Sequence, residues 1–260
     1  MKNKWLTTAA TVFGCSFCLP APAQQDGDWS WSLGFDYSEG DYGDSTDTEI
    51  LYVPFTARYD TGPWTYRFTL PYVSITGPGN VVPDIGAIGG RTATTRRTTE
   101  SGIGDFVASA TYNLMPGGGT APIVDLTGKV KLPTASESKG LGTGEMDLAA
   151  QVDVYKLLAP QITGLATLGY TMLGDPPGVE LRNVFYGSLG AVRQIDNRTS
   201  IGGTFDFRQR TSQFGDPQRE LVGFVSYRAN ASWRVQGYAV KGLANGSPDW
   251  GIGAVVLRQY

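Results

Sequence analysis

Histidine is absent from all 260 residues. That excludes Ser-His and Asp-His general-base pairs and any imidazole-ligated metal. Cysteine occurs only twice, at Cys15 and Cys18, both within a leader-like N-terminus, so the rest of the chain offers neither a disulfide nor a thiolate ligand. Charge is scarce at 17% of residues, and no stretch supplies the roughly 18 consecutive apolar residues of a membrane helix. The carboxylates Asp147 and Asp153 lie six residues apart on one expected strand. That is about 20 Å by the rise per residue, too far to flank a single scissile bond. No catalytic residue, cofactor or metal ligand is expected.

What the chain has is alternation. In Trp64-Thr65-Tyr66-Arg67-Phe68-Thr69-Leu70 every second side chain is large and apolar, and those between are small or charged. A strand sends successive side chains to opposite faces, so the pattern separates an oily face from a wet one. It recurs from Trp29 to Tyr260 in roughly a dozen segments, each about 10–13 residues long, the length that crosses a bilayer as a tilted strand. Glycine is the commonest residue at 35, and aromatics make up 12%. The fold class expected is an all-β transmembrane antiparallel up-and-down barrel of 12 strands. A soluble sandwich is the weaker alternative, because strand length and terminal aromatics favour the membrane.

The first 23 residues read as an export signal. Lys2 and Lys4 give a charged start, Leu6 to Leu19 an apolar run too short to span, and Ala21-Pro22-Ala23 a small-x-small cleavage site. Lipoprotein processing at Cys15 competes, but Phe13 fits that pattern poorly. The expected domains are a leader, 1–23, and a barrel, 24–260. Cleavage leaves 19 basic against 24 acidic residues, a formal charge of −5, which gives no overall footprint for nucleic acid. About five residues then precede the first strand, so no N-terminal plug is expected, and length excludes a plugged 22-stranded receptor.

The strands are placed near 28–38, 48–59, 63–75, 102–114, 122–132, 145–158, 161–173, 181–195, 199–210, 219–229, 232–242 and 249–260. Short turns, such as Asp60-Thr61-Gly62 and Asn230-Ala231, alternate with longer connections at 39–47, 76–101, 133–144, 174–180, 211–218 and 243–248. That asymmetry is the bacterial outer-membrane pattern, with short turns and both termini on the periplasmic side. Outward positions include Trp64, Tyr66, Phe68, Leu70 and Tyr72, and, on the last strand, Trp250, Ile252, Ala254, Val256 and Tyr260. Arg258 breaks the apolar face and is expected to snorkel to the interface.

Inward positions carry the charge, and these are the pore-lining candidates. They are Arg58, Arg67, Asp105, Asp125, Lys129, Lys131, Asp147 and Asp153, then Arg193, Asp206, Arg208, Arg210, Arg228 and Arg234. For any one of them the plainer reading is cross-strand pairing that fills a narrow interior. Collectively they suit a polar conduit of mixed charge. The loop 76–101 is long enough to be functional. It mixes Val81, Val82, Ile85 and Ile88 with Arg91, Arg96 and Arg97, so it can fold inward to constrict a pore while its arginines meet lipopolysaccharide phosphates. The acidic loop with Glu39, Asp41, Asp44 and Asp47 reads as solvated; its spacing fits no calcium loop.

Two motifs are more specific than the periodicity. Ser101-Gly102-Ile103-Gly104-Asp105 opens the fourth strand. Lys129-Val130-Lys131-Leu132-Pro133-Thr134 closes the fifth and is followed by Lys139-Gly140-Leu141-Gly142-Thr143-Gly144-Glu145-Met146-Asp147. The glycine loop leads from strand to strand, with no helix N-terminus to hold a phosphate. Together with Leu70-Pro71-Tyr72-Val73, these stretches resemble the outer-membrane transporter family named after the meta-pathway of phenol degradation. The resemblance covers roughly 29–260 and is specific in 101–147. It implies a barrel that passes small, often aromatic or hydrophobic, carbon sources. The family's usual Pro-Thr-Gly-Asp is Pro133-Thr134-Ala135-Ser136 here, so nothing is carried over for that Gly-Asp pair.

The expected function is an outer-membrane channel for passive uptake of small solutes, hydrophobic or aromatic as the resemblance implies, through a mixed-charge lumen. Its partners would be outer-membrane lipid, lipopolysaccharide, the solute and the barrel assembly machinery, which the closing Tyr260 suits. The alternative is a structural or interaction barrel with a packed lumen and adhesive extracellular loops.

Overall fold

The computed structural model describes residues 27–43, 46–79, 81–83, 85–87 and 97–260. The leader 1–23 lies outside the described residues, as do Asp44, Ile88, Arg91 and Arg96.

The first three long strands, β1 (Asp28–Gly40), β2 (Thr48–Thr61) and β3 (Trp64–Gly77), are consecutive antiparallel neighbours. A two-rung hairpin, β4 (Val81–Val82) and β5 (Gly86–Ala87), stands in the following loop. Then come β6 (Thr98–Ile103), β7 (Phe106–Gly118), β8 (Ala121–Leu132), β9 (Asp147–Ala159), β10 (Ile162–Met172) and β11 (Val184–Gln194). The last are β12 (Thr199–Arg208), β13 (Gln218–Arg228), β14 (Trp233–Gly242) and β15 (Trp250–Gln259). Each long strand pairs with the next, and β15 returns to β1 with Ser30 opposite Gln259 and Glu39 opposite Trp250. The ring is closed, so no lipid-exposed edge carries unpaired amides, as a bilayer demands.

The ring has twelve strands because β6 and β7 are one strand interrupted. Both pair with β3, Thr69 standing opposite Val107 and Tyr72 opposite Ile103. Three residues, 104–106, therefore face two, 70 and 71, which is a β-bulge. Pro71 has no amide to donate, and its carbonyl accepts from the Gly104 amide at 2.8 Å. A Cβ on Gly104 would come within 2.8 Å of both Pro71 and Val73. The strand expected near 102–114 thus begins earlier and breaks where proline and glycine meet across the ladder.

Alternation holds along the wall. On β13, Glu220, Val222, Phe224 and Ser226 are buried inward, while Leu221, Val225 and Tyr227 are exposed outward. Trp29, Trp31, Trp64, Tyr112, Trp233 and Tyr260 ring the outside at the short-turn end, and Tyr37 packs with Trp250 near the other. Amphipathic rings sit at such levels where hydrocarbon meets headgroups. Arg258 is outward in this girdle, its guanidinium 5.4 Å from the Trp233 ring and 4.4 Å from that of Tyr260. The chain is a bacterial outer-membrane β-barrel.

Candidate channel lumen and mouth

Two kinds of surface meet inside the barrel. Most inward residues of β1–β3 and β7–β9 are polar, apart from Ile50, Val73, Ile75 and Tyr155. Thr56 and Thr69 pair hydroxyls at 2.9 Å, as do Thr111 and Thr127. On β9–β14 an apolar and aromatic cluster is set among polar inward residues such as Gln151, Thr163, Ser188, Thr204 and Gln236: Tyr155, Leu165, Val192, Val222, Phe224 and Val240 are buried together with Tyr186 and Tyr238. Both tyrosines bridge the two kinds of surface. Tyr186 lies over Gly169, where a Cβ would come within 2.2 Å of its ring, and donates to Gln151 Oε1 at 2.9 Å. Tyr238 lies over Gly253 just as closely and donates to Asp36 Oδ2 at 2.8 Å. A glycine is required at each place, because only a bare backbone lets a ring cross a neighbouring strand.

Most of the charged residues named from sequence point inward. Arg58 forks onto Asp60 with two contacts of 2.7 Å, and Thr65 donates to the same carboxylate. Arg67 stands directly opposite Arg58 on β3. Asp125 accepts from Asn113 at 2.6 Å and is opposite Asp153, which in turn accepts from Gln151 and Thr167. Lys129 donates to Gln151 at 2.6 Å, with its ammonium 5.6 Å from the Tyr186 ring. Asp206 and Arg208 are inward on β12, and Arg228 and Arg234 are inward and opposite each other.

Three expectations are corrected. Arg193 faces outward and is exposed, because the inward set on β11 is Val184, Tyr186, Ser188, Gly190 and Val192, and one residue of phase reverses the face. Arg210 lies beyond the end of β12 in the loop and is exposed, so it lines no wall. Arg97 ion-pairs with Glu49, whose place between the fully buried Thr48 and Ile50 puts it on the outer face, so that arginine does not enter the mouth. Sequence reasoning did not single out Asp36, Asp60, Gln151 or Glu220, although the alternation of Trp29, Trp31, Leu33, Phe35 and Tyr37 places Asp36 inward. It also did not single out Tyr155, Tyr186, Phe224 and Tyr238, although the inward phase of Asp153, Arg228 and Arg234 places Tyr155, Phe224 and Tyr238 inward; only for Tyr186, on a strand apolar on both faces, was there no signal.

The two motifs converge at the long-loop end. Lys131 Nζ lies 3.1 Å from Asp105 Oδ2, 2.8 Å from Asp147 Oδ2 and 3.3 Å from Thr143 Oγ1. Asp105 also accepts the Ala135 amide, and Thr134 bonds both ways across the bulge, to Gly104 O and from the Phe106 amide. These contacts fold the loop 133–146 over the mouth and bury Leu141 against Tyr42, Ile50, Val73, Ile75 and Val81. Burial pushes the Tyr42 phenol above its ordinary value.

The β4–β5 hairpin crosses the same mouth. Val82 and Ile85 pack against Leu173 and Leu181. Thr211 donates to Ile85 O at 2.6 Å and Ser212 to Ala87 O at 2.7 Å. The hairpin leaves from β3, and residues 211–212 follow β12. In the ring order β3-β2-β1-β15-β14-β13-β12, these strands are diametrically opposed.

No family model matches the sequence, and no curated protein matches it in sequence. Solved structures do match in shape. An outer-membrane channel of Pseudomonas putida F1 is 16% identical over 92% of this chain and 97% of its own, with a TM-score of 0.70. The transport unit of the autotransporter AIDA-I from Escherichia coli is 11% identical over 91% and 90%, with a TM-score of 0.52. The toluene transporter TodX of P. putida is 8% identical over 91% and 90%, with a TM-score of 0.45. The neighbours are outer-membrane channels and an autotransporter β-domain.

Proposed function

We propose that this barrel is a passive channel for small solutes with an apolar body, aromatic ones included, moving down their gradient. The supporting observation is the apolar and aromatic cluster within the lumen on β9–β14, set among hydrogen-bonding side chains and lying beneath a mouth roofed by apolar side chains. Once the roof lifts, a solute that sheds water onto Val82, Ile85 and Leu141 would next meet the aromatic cluster, while its polar groups find partners among the hydroxyls and amides around it. The fold likeness to a channel is a precedent for architecture only.

Lifting the hairpin would lose two hydrogen bonds, about 1 kcal/mol each net, and expose Val82 and Ile85 at about 2 kcal/mol each. The total, about 6 kcal/mol, corresponds to an open fraction on the order of 10⁻⁴. Brief, rare openings are therefore expected in planar bilayers, with larger and more frequent steps after deletion of residues 80–98. Silence of both proteins would sink the channel. It would favour the second reading, a structural barrel with a packed lumen, which has its own support in Leu165, Val192 and Val240 being at most 4% exposed. On either reading residues 1–23 would serve as an export leader, and the outer face would meet lipid and lipopolysaccharide.

A further inference from the structure

A cation on the lipid-facing side of a barrel needs an anion from its surroundings, because hydrocarbon supplies none. Arg219 of β13 and Lys241 of β14 form such a pair of cations. Leu221 stands directly opposite Lys241, so Arg219 is the diagonal neighbour, about 7–8 Å away between Cα atoms. Both side chains are exposed and point outward, since their neighbours Glu220 and Val240 are buried on the inner face. The pair sits at the long-loop, extracellular end. Lys241 is opposite Trp250, whose ring packs with Tyr37 at the aromatic level there. Arg219 lies one outward position nearer the loops, about 7 Å along the strand. That is the height at which headgroups meet hydrocarbon.

The backbone here is fixed, while the charges stay available. The Arg219 amide donates to Ser247 Oγ at 2.8 Å, and the Arg219 carbonyl accepts from that hydroxyl at 3.1 Å and from the Leu243 amide at 2.8 Å. Among the described residues neither cation forms an ion pair; Lys241 donates to the Asp249 carbonyl at 2.8 Å. Elsewhere the rim has the other sign. On β1 and β2, Glu39 and Glu49 face outward directly opposite each other, and Arg97 is engaged by Glu49. Exposed apolar side chains flank the cations, with Phe207 opposite Arg219 and Leu221, Leu243 and Trp250 around them. A guanidinium fork matches a phosphate, and the apolar flank matches acyl chains below it.

We infer that the outer face of β13–β14 is a lipopolysaccharide site, with Arg219 and Lys241 on a lipid A phosphate and the acyl chains on Leu221 and Trp250. The site rests on the outer face meeting lipopolysaccharide, and it stands whether or not the lumen conducts. The test uses the full chain in non-ionic detergent, titrated with lipid A, with dephosphorylated lipid A and with phosphatidylglycerol, which marks ordinary anionic lipid. Lipid A is expected to bind at least ~10-fold tighter than either. That preference should fade with added salt and vanish in R219Q/K241Q, where the new amide at 241 can still donate to the Asp249 carbonyl. It should survive in K156Q/R193Q, which removes two outward cations at the periplasmic ends of β9 and β11. Heat-modifiable gel migration checks that each variant folds. Should the double variant fail that check, R219K, which keeps the charge but loses the fork, should still cut the preference several-fold. Equal binding of lipid A and its dephosphorylated form, phosphatidylglycerol held as tightly as lipid A, or equal loss in K156Q/R193Q would each overturn the site. Lipid A binding untouched by R219Q/K241Q or by R219K removes this site and leaves an outer face that meets lipopolysaccharide elsewhere, whereas no binding of lipid A at all removes both.

Discussion

Lys131 shows how much one side chain can hold. Its ammonium is the shared partner of two carboxylates from separate segments, and all three groups are largely buried, with 14%, 10% and 8% of side-chain surface exposed for Lys131, Asp105 and Asp147. Removing one member of a buried set leaves the others as uncompensated charge, which costs about 3–5 kcal/mol. Lys131→Met should therefore lower the urea midpoint of the purified barrel clearly and raise the frequency of conductance openings, because the loop 133–146 loses its tether. Adding Asp147→Asn should restore part of the stability; a double variant no better than the single one would contradict the assigned pairing. The participants were legible, since Asp105, Lys131 and Asp147 all stand in the two motifs and in inward phase. Their meeting was not, because it depends on a bulge and a folded loop. Arg193 shows the opposite limit. Both faces of β11 are apolar, so its charge was read as marking the wet side, although a strand end at the membrane surface also admits a charge facing out.

At the scale of strands and turns, boundaries followed closely from the periodicity: β8 runs Ala121–Leu132 where 122–132 is expected. What escaped was the break between β6 and β7, which arises from a cross-strand encounter with Pro71 and not from the segment's own composition. Gly104→Ala should cost about 1–3 kcal/mol in urea unfolding, because its methyl would press on Pro71 and Val73. Gly128→Ala, outward with nothing within 4 Å, should be near neutral, and equal costs would refute the steric account. Two short turns make a natural pH comparison. Asp196 Oδ1 accepts from the Arg198 and Thr199 amides at 2.6 and 2.8 Å, and these bonds hold its carboxyl below the usual range. Asn230 Oδ1 makes the same pair of bonds to Ser232 and Trp233, both at 2.9 Å, without a titrating group. A depressed folded value means that the turn's extra stability is present above the ordinary aspartate pKa, about 3.9, and is lost as pH falls through the lower folded value. Hydrogen exchange, corrected for intrinsic rates, should show protection of the 198 and 199 amides falling in acid while that of 232 and 233 stays level. Parallel loss at both turns would point to general acid unfolding.

At the scale of the whole molecule, the question is whether the roof over the mouth moves. The ring order places the hairpin's root on β3 and its anchor at 211–212 on opposite sides, so its path crosses the opening. If the apolar wall below is a track, the hairpin must lift for a solute to reach it. If that wall is packing alone, the hairpin can be fixed in place without consequence. The Ser212 hydroxyl on the Ala87 carbonyl brings these two backbones close to the span of a disulfide, and the described residues contain no cysteine to compete. The variant A87C/S212C should therefore lose its conductance steps when oxidised and recover them when a dithiol reductant is added to the same bilayer, with each single-cysteine variant indifferent to the reductant. Steps that persist through verified cross-linking would mean that solute does not pass beneath this hairpin, and the path would have to be sought on the other side of Leu141.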